Sequence, residues 1–186
     1  MNLTISARGD KTTQDLWLNW KIAGMQTEKS KSNQSYYTGI YYQYESDGDV
    51  DWVFENDDGE DPIDSKLSWI AFNQQFFTTI INAKNGFQKG TKLECNNENK
   101  EYIKTMSLQS KINTNEEYRY EIYFGPNDYK KLKSYKKGFE EVVWFGSGLI
   151  GWVNRVIVIN IFDFIMNSLG INNFGLIILL LTLIIK

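Results

Sequence analysis

The chain has few of the residues on which enzyme sites are usually built. Its 186 residues include no histidine, one cysteine and two prolines. The absence of histidine excludes Ser-His and Cys-His catalysis and removes the commonest transition-metal ligand. The single cysteine, Cys95, cannot form a disulfide within the chain, and its context "LECNN" favours a strand residue over a nucleophile. Because no glycine-rich phosphate cradle is present either, the sequence predicts no catalytic residue, no cofactor and no metal.

The charge balance also narrows the classes of partner. A net charge of -3, from 20 basic and 23 acidic residues, gives no overall basic field and argues against nucleic-acid binding. "DGDVD" spaces three aspartates like the opening of a calcium loop, but Trp52 stands at the sixth position and Asp58 at the twelfth. The pattern therefore predicts a solvated hairpin at Asp47, Asp49 and Asp51.

The polar part of the chain could also indicate a protein that binds sugars or acts on them. The loop "ENDDGEDPID" could supply a pair of carboxylates for glycoside chemistry, and the many tyrosines and tryptophans could line a sugar cleft. Like charges crowded into a Gly/Pro loop instead indicate solvent exposure, and strand packing accounts for the aromatic residues more simply. The carboxylates concerned are Asp57, Asp58, Glu60 and Asp61.

Strand patterns dominate the first two thirds of the chain. "DLWLNWKI", "YYTGIYYQYE", "KLSWIAF", "QQFFTTIINA" and "EEYRYEIYF" alternate or are rich in residues that favour strands. Asp47-Gly48 and Asn85-Gly86 are hairpin signals between such segments. We expect a mostly antiparallel β unit from about Leu3 to Phe124, in which the last strand places four residues on one face. Those residues are Tyr118, Tyr120, Ile122 and Phe124.

At Gly125-Pro126 the periodicity changes from strand to helix. Helices are expected from near Asn127, with Asn127 or Asp128 as the capping residue. Beyond Phe139 charged residues become rare. The only ones are Glu140, Glu141, Arg155, Asp163 and Lys186.

Residues 152–169 form an almost wholly apolar helix candidate. Its polar residues Asn160, Asp163 and Asn167 fall at i, i+3 and i+7, within about 60° of one another at about 100° per residue. Such a narrow polar stripe suits a helix lying in a membrane interface, with Trp152 and Arg155 as headgroup anchors, while a helix buried in a large protein core is the alternative. As a span, the helix would leave the stripe unpaired in lipid.

The chain closes on the apolar run "NNFGLIILLLTLIIK". A helix over 174–185 rises roughly 18 Å, whereas a bilayer core is about 30 Å thick. The run is thus either a buried helix or the first part of a membrane span. "MNLTISARGD" has no apolar stretch of the kind a signal peptide requires, so we expect any export signal to lie outside this sequence.

Three segments carry a resemblance to a known family. "KLSWIAFNQQFFTTIINA", "YFGPNDYKKLKSY" and "NNFGLIILLLTLIIK" resemble the YidC-type membrane protein insertases of the YidC/Oxa/Alb superfamily, and "LNWKIAGMQTEKSKSNQSYYTGIYYQYESDGDVDWV" resembles the longer form in Bacteroidetes. The resemblance implies a fragment cut inside its membrane span, mainly β and part of a β-supersandwich, followed by C-terminal helices. It divides the chain into the C-terminal portion of a periplasmic domain (1–126), a helical connector (127–148), an interfacial amphipathic helix (149–170) and the truncated start of the first core transmembrane helix (173–186).

By this resemblance the intact protein is no enzyme but an insertase and chaperone of the bacterial inner membrane, with its β domain in the periplasm. Its implied partners are membrane protein clients, the lipid bilayer and components of the Sec translocon. Lys186 resembles the single basic residue of the family's hydrophilic groove, which implies an electrostatic role toward clients. The alternative is a periplasmic carbohydrate-binding or mutarotase-like supersandwich protein, which the missing histidines and the terminal apolar run oppose.

Overall fold

The computed structural model describes residues 1–6, 16–54, 62–97, 101–113, 116–146, 148–171 and 173–185. The chain divides into two units, Met1–Val142 and Val143–Lys186. Within the described residues, the first unit contains all the strands and the second contains only helices. The lysine predicted for the groove, Lys186, and the acidic loop residues 57–61 lie outside the described residues.

The first unit is built on two antiparallel sheets. Its strands are β1 Asn2–Ser6, β2 Leu16–Gly24, β3 Gly39–Tyr44, β4 Val50–Val53, β5 Leu67–Asn73, β6 Phe77–Phe87, β7 Lys92–Asn96, β8 Lys104–Ile112 and β9 Glu117–Pro126. A six-stranded sheet has the order β1-β9-β6-β5-β3-β4, and a three-stranded sheet has the order β2-β8-β7. All their pairings are antiparallel, which confirms the predicted mainly β, antiparallel class.

One hydrophobic core is shared by both sheets. The larger sheet contributes residues such as Phe72 and Ile81, and the smaller contributes Met106 and Leu108, all within one buried cluster. Because alternate side chains of a strand point to one face, a common cluster means that the sheets pack face to face. Along β8 the alternation is regular, so Met106, Leu108 and Ile112 are buried while Gln109 is exposed.

The shared face predicted for the last strand is largely confirmed. Tyr118, Tyr120 and Ile122 are all buried in the common core. Phe124, two residues further along the same strand, is 55% exposed because it lies beyond the buried cluster. The periodicity therefore gave the correct face, while the depth of burial depended on how far the opposing sheet extends.

The expected hairpin turn at Asn85-Gly86 is wrong. Both residues lie inside β6, which continues to Phe87. Gly86 has a φ of 71°, and the register shifts between the pairs Trp69↔Asn82 and Leu67↔Phe87. The left-handed glycine therefore forms an irregular bulge that lets the longer strand stay paired with the shorter one. The first hairpin signal, Asp47-Gly48, is confirmed between β3 and β4.

The strand expected over "YYTGIYYQYE" begins later than predicted. A short helix, α1, covers Lys31–Tyr36, and β3 starts only at Gly39. Ser30 caps this helix by accepting a hydrogen bond from the Asn33 N–H at 3.3 Å. The buried amide of Gln34 holds it further, donating to the Met25 carbonyl at 2.9 Å. The Ser30 cap and the Gln34 hydrogen bond together outweigh the preference of Tyr36 for a strand.

A connector covers part of the outer face of the larger sheet. Helices begin after Pro126, close to the predicted start: α2 spans Tyr129–Ser134, and a 3₁₀ turn spans Phe139–Val142. Asp128 caps α2 by accepting a hydrogen bond from the Lys131 N–H at 3.0 Å. The fully buried indole of Trp69 on β5 packs edge-on against Phe139 and donates to the Lys137 carbonyl at 2.9 Å.

The second unit consists of two apolar helical segments. Residues 148–168 form one continuous helix in which α-helical and π-helical turns alternate: α3 Gly148–Val153, a π segment Asn154–Val158, α4 Ile159–Asp163 and a π segment Phe164–Ser168. Helix α5 spans Phe174–Ile185. Phe162 and Phe174 stack with ring centroids 6.2 Å apart, which joins the two segments.

Candidate membrane interface

The two helical segments expose large aliphatic and aromatic side chains. On the long helix Leu149 is 76% exposed, and on α5 Leu183 is 79% exposed. Among the described side chains of these helices, the only large hydrophobic ones that are buried are Ile165 and Ile177. Continuous apolar surface of this kind marks a face that another apolar phase covers. The other large hydrophobic side chains that are exposed on these helices are Trp152, Val156, Ile157, Phe164, Leu169, Phe174, Leu176, Ile178, Leu179 and Ile184.

The residues of the predicted polar stripe differ in exposure. Asn160 and Asn167 are exposed, whereas Asp163 is half-buried. Exposed positions 149, 152, 156, 160, 164 and 167 follow the spacing of one helix face, so the two asparagines share it with apolar residues. Of the predicted anchors, Trp152 is exposed and Arg155 is half-buried. The π-helical turns shift the angular positions that a regular helix would give.

The amide of Asn160 is turned back onto its own helix. Its Nδ2 donates to the Val156 carbonyl at 2.6 Å. Thr182 on α5 does the same, donating from its hydroxyl to the Ile178 carbonyl at 2.7 Å. These internal bonds satisfy polar hydrogens that would otherwise need water, so they lower the cost of placing the residues against lipid. The spacing of polar residues in the sequence did not predict these bonds for either residue.

Two further asparagines fix the ends of the helices. Asn154 donates from its side chain to the Phe145 carbonyl at 2.9 Å, which ties the preceding segment to the helix. Asn173 caps α5, because its Oδ1 accepts the Leu176 N–H at 3.2 Å. The cap could have been found from the sequence, since an asparagine just before an apolar helical run is a standard start signal.

No helix in the described parts of the chain combines the length and the apolar character needed to cross a membrane. The Cys, Asp and Glu side chains of the described residues likewise form no group of three or more that could hold a metal ion. Cys95 is a buried residue of β7, as predicted. Asp47 and Asp49 are exposed in the hairpin that follows β3.

Several tyrosine hydroxyls are held in their protonated form. Burial raises the pKa of Tyr41 and of Tyr120 to about 12. Burial is also the largest cause of the raised pKa of Tyr42, Tyr118 and Tyr123. A phenol whose pKa is raised is a weaker proton donor at neutral pH and is not present as phenolate. These tyrosines therefore serve packing and hydrogen bonding rather than acid–base chemistry.

Comparison with known proteins identifies the family to which the chain is similar. Residues 7–159 match the family described as the YidC periplasmic domain. The chain is similar to proteins named membrane protein insertase YidC: 33% identical over 180 residues in Bacteroides fragilis, 31% over 187 in Parabacteroides distasonis and 28% over 204 in Phocaeicola vulgatus. The alignments cover 91%, 94% and 100% of this chain but only 29%, 29% and 32% of the relatives.

The family match covers the two-sheet unit from residue 7 onward and the first part of the exposed apolar helix. It agrees with the resemblance that the sequence motifs carry. The chain belongs to the YidC periplasmic domain family.

Proposed function

We propose that this chain is part of a membrane protein insertase of the bacterial inner membrane, with its two-sheet unit in the periplasm. The intact protein assists insertion and folding of membrane proteins, alone or with the Sec translocon. The family match over residues 7–159 carries the proposal, because it joins a periplasmic domain to a helix with exposed apolar side chains. The relatives bearing the insertase name, about three times as long as this chain, support it.

The proposed organisation follows the sequence boundaries. Residues 1–126 form the C-terminal portion of a β-supersandwich, 127–148 the connector, 149–170 an interfacial helix and 173–186 the start of the first core transmembrane helix. The shared core of the two sheets supports the first assignment. The exposed apolar side chains of 149–169 and 174–184 support the last two.

The interfacial position of the long helix has a physical basis. Trp152 is exposed and prefers the headgroup level, where its ring is partly apolar and its N–H finds polar partners. Asp163 carries a charge whose placement at the centre of a bilayer costs about 2.5 to 3.5 kcal/mol or more. A helix lying in the interface keeps this carboxylate near water while its apolar residues contact lipid.

Insertion of this kind needs no covalent chemistry. The barrier is the desolvation of polar loops and termini as a client crosses the bilayer, and a hydrated groove lowers it. We assign Lys186 to that groove. If the span begins near Gly175, Lys186 lies roughly 16 Å deeper along the helix, close to the midplane of a core about 30 Å thick. Its ammonium would attract acidic parts of clients without acting as acid, base or nucleophile.

The experiment that tests the function uses the intact insertase in cells depleted of their own. We expect the wild-type protein to restore insertion of a client with an acidic translocated tail. Lys186→Arg should preserve insertion, Lys186→Ala should weaken it and Lys186→Glu should weaken it most. Failure of the wild-type protein to restore the insertion of any client would refute the insertase assignment. Restored insertion that is insensitive to charge reversal would refute only the role of Lys186.

A further inference from the structure

The connector carries a concentration of positive charge. The sequence "YKKLKSYKK", residues 129–137, contains five lysines among nine residues. The ammonium of Lys137 is engaged by the carboxylate of Glu121 at 2.5 Å. The other four lysines are exposed and are called here the lysine cluster: Lys130, Lys131, Lys133 and Lys136.

The cluster is held on a folded platform. Leu132, between two of its members, is fully buried and fixes α2 on the first unit. The Lys131 ammonium lies 5.7 Å from the ring centroid of Tyr123, and that of Lys133 lies 5.3 Å from the ring centroid of Tyr129. These contacts with aromatic faces restrict the long side chains, so less entropy is lost when the ammonium groups meet a partner.

Lys136 stands in a backbone conformation that lysine does not favour. Its φ is 55°, and among the described residues it is the only one other than glycine with a positive φ. It follows the last turn of α2, and its N–H donates to the Lys133 carbonyl at 3.0 Å. Glycine is the usual residue at this position of a helix end. Lysine is more strained here than glycine would be, and its side chain is exposed together with the rest of the cluster.

The chemistry of the next segment indicates the partner. The apolar helix begins at Gly148, eleven residues after Lys137, and exposes the side chains of Leu149 and Trp152. Eleven residues of chain span at most about 40 Å, so a helix held at a membrane surface keeps the cluster within that distance of it. We propose that the lysine cluster binds the phosphates of anionic lipids. This proposal rests on the membrane location proposed above, and each lysine near such a surface strengthens binding about fivefold.

The test measures binding of the whole 186-residue chain to vesicles. One set contains phosphatidylcholine alone, and the other contains phosphatidylcholine mixed with phosphatidylglycerol. Lys→Gln changes at all four cluster positions should reduce binding to the anionic vesicles by at least about a hundredfold and leave binding to the neutral vesicles unchanged. The matched control changes four exposed lysines elsewhere in the same unit to glutamine: Lys21, Lys29, Lys31 and Lys92.

The control variant removes the same number of positive charges from positions outside the cluster. It should therefore retain most of the binding to anionic vesicles. Lys→Arg changes at the four cluster positions should retain it fully. Equal losses in the cluster and control variants overturn the proposal, since they would reflect net charge alone. Wild-type protein that binds both vesicle types equally overturns it too. Wild-type protein that binds neither type contradicts the proposed membrane function itself.

An acidic protein segment is the competing partner, and poly-glutamate serves as its probe. Under the lipid proposal, the cluster variant loses binding to phosphatidylglycerol vesicles. If that variant instead loses binding to poly-glutamate while its binding to the anionic vesicles equals that of the wild type, the partner is an acidic chain and the lipid proposal is wrong.

Discussion

Lys136 ends helix α2 with a φ of 55°, where a side chain costs free energy that glycine avoids. Lysine can tolerate this conformation, but its Cβ crowds the backbone in the left-handed region. A substitution of Lys136 by glycine can therefore raise the stability of the domain while it lowers the affinity for a partner.

We predict that Lys136→Gly stabilises the first unit by about 0.5 to 1 kcal/mol and weakens binding to anionic vesicles about fivefold. Denaturant midpoints and vesicle binding measure the two effects. Lys133→Gly is the control, because it removes the same charge from inside α2 and should destabilise by about 1 kcal/mol. A loss of stability in Lys136→Gly would show that the left-handed conformation carries no strain.

Glu121 on β9 links the connector to the larger sheet. Its carboxylate meets the ammonium groups of Lys137 at 2.5 Å and Lys84 at 3.2 Å, and it accepts a hydrogen bond from Asn82 at 3.2 Å. The hydrogen bond from Lys137, followed by that from Lys84, lowers the pKa of Glu121 below its ordinary value of 4.5. A carboxyl whose pKa is lower in the folded state stabilises that state at pH values above the unfolded pKa.

We predict that Glu121→Gln reduces the free energy of unfolding by less than about 1 kcal/mol at pH 7, because the group is partly exposed and solvent screens its ion pairs. The deficit should shrink as the pH falls below the ordinary value of 4.5 and through the lower pKa of the folded protein, since wild-type Glu121 is then protonated. Urea denaturation at a series of pH values measures it. A deficit that stays constant with pH would contradict the ion-pair explanation.

The connector is held to the first unit chiefly by apolar side chains. Leu132, Phe139 and Val142 are almost fully buried, and Trp69 adds an indole hydrogen bond to the connector backbone. A helix of six residues has little stability by itself, so tertiary packing decides whether α2 forms. The position of the lysine cluster consequently depends on these buried contacts.

We predict that Leu132→Ala costs about 2 to 5 kcal/mol, because it removes a fully buried side chain and leaves a cavity. Lys130→Ala, on the exposed side of the same helix, should change stability by no more than about 0.5 kcal/mol. Urea denaturation followed by tryptophan fluorescence would compare them. Equal effects of the two substitutions would mean that α2 is not packed on the sheet.

The two units of the chain have opposite surface chemistry. The first buries most of its large apolar residues in a shared core, whereas the helices of the second expose most of their leucine, isoleucine and phenylalanine side chains. Exposed apolar area favours association at roughly 25 cal/mol per Å² buried. Association with an apolar partner would therefore lower the free energy of the second unit.

We predict that the chain 1–186 self-associates in aqueous buffer and becomes monodisperse in detergent, while a version ending at Val142 needs no detergent. Light scattering with and without detergent measures the difference. As a control, three exposed leucines of α5 changed to serine in the full chain should reduce association: Leu176, Leu179 and Leu183. Identical scattering from the 1–186 and 1–142 chains would contradict the prediction.

The amino-acid sequence by itself determined the β class, the change to helix after Gly125-Pro126 and the common strand face of Tyr118, Tyr120 and Ile122. These features depend on local periodicity and on residues with strong backbone preferences, which are visible in any short window. The motifs also pointed to the family that residues 7–159 match. Lys186, outside the described residues, stays a prediction.

Only the tertiary structure decided what Gly86 does, where Asp163 lies and why Lys136 is unusual. A left-handed glycine suits a turn or a bulge equally well, and the pairing of β6 with β5 selected the bulge. Asp163 is half-buried while Asn160 and Asn167 are exposed, a difference that their spacing in the sequence does not predict. Such outcomes depend on contacts between residues far apart in the chain, and local patterns carry no information about them.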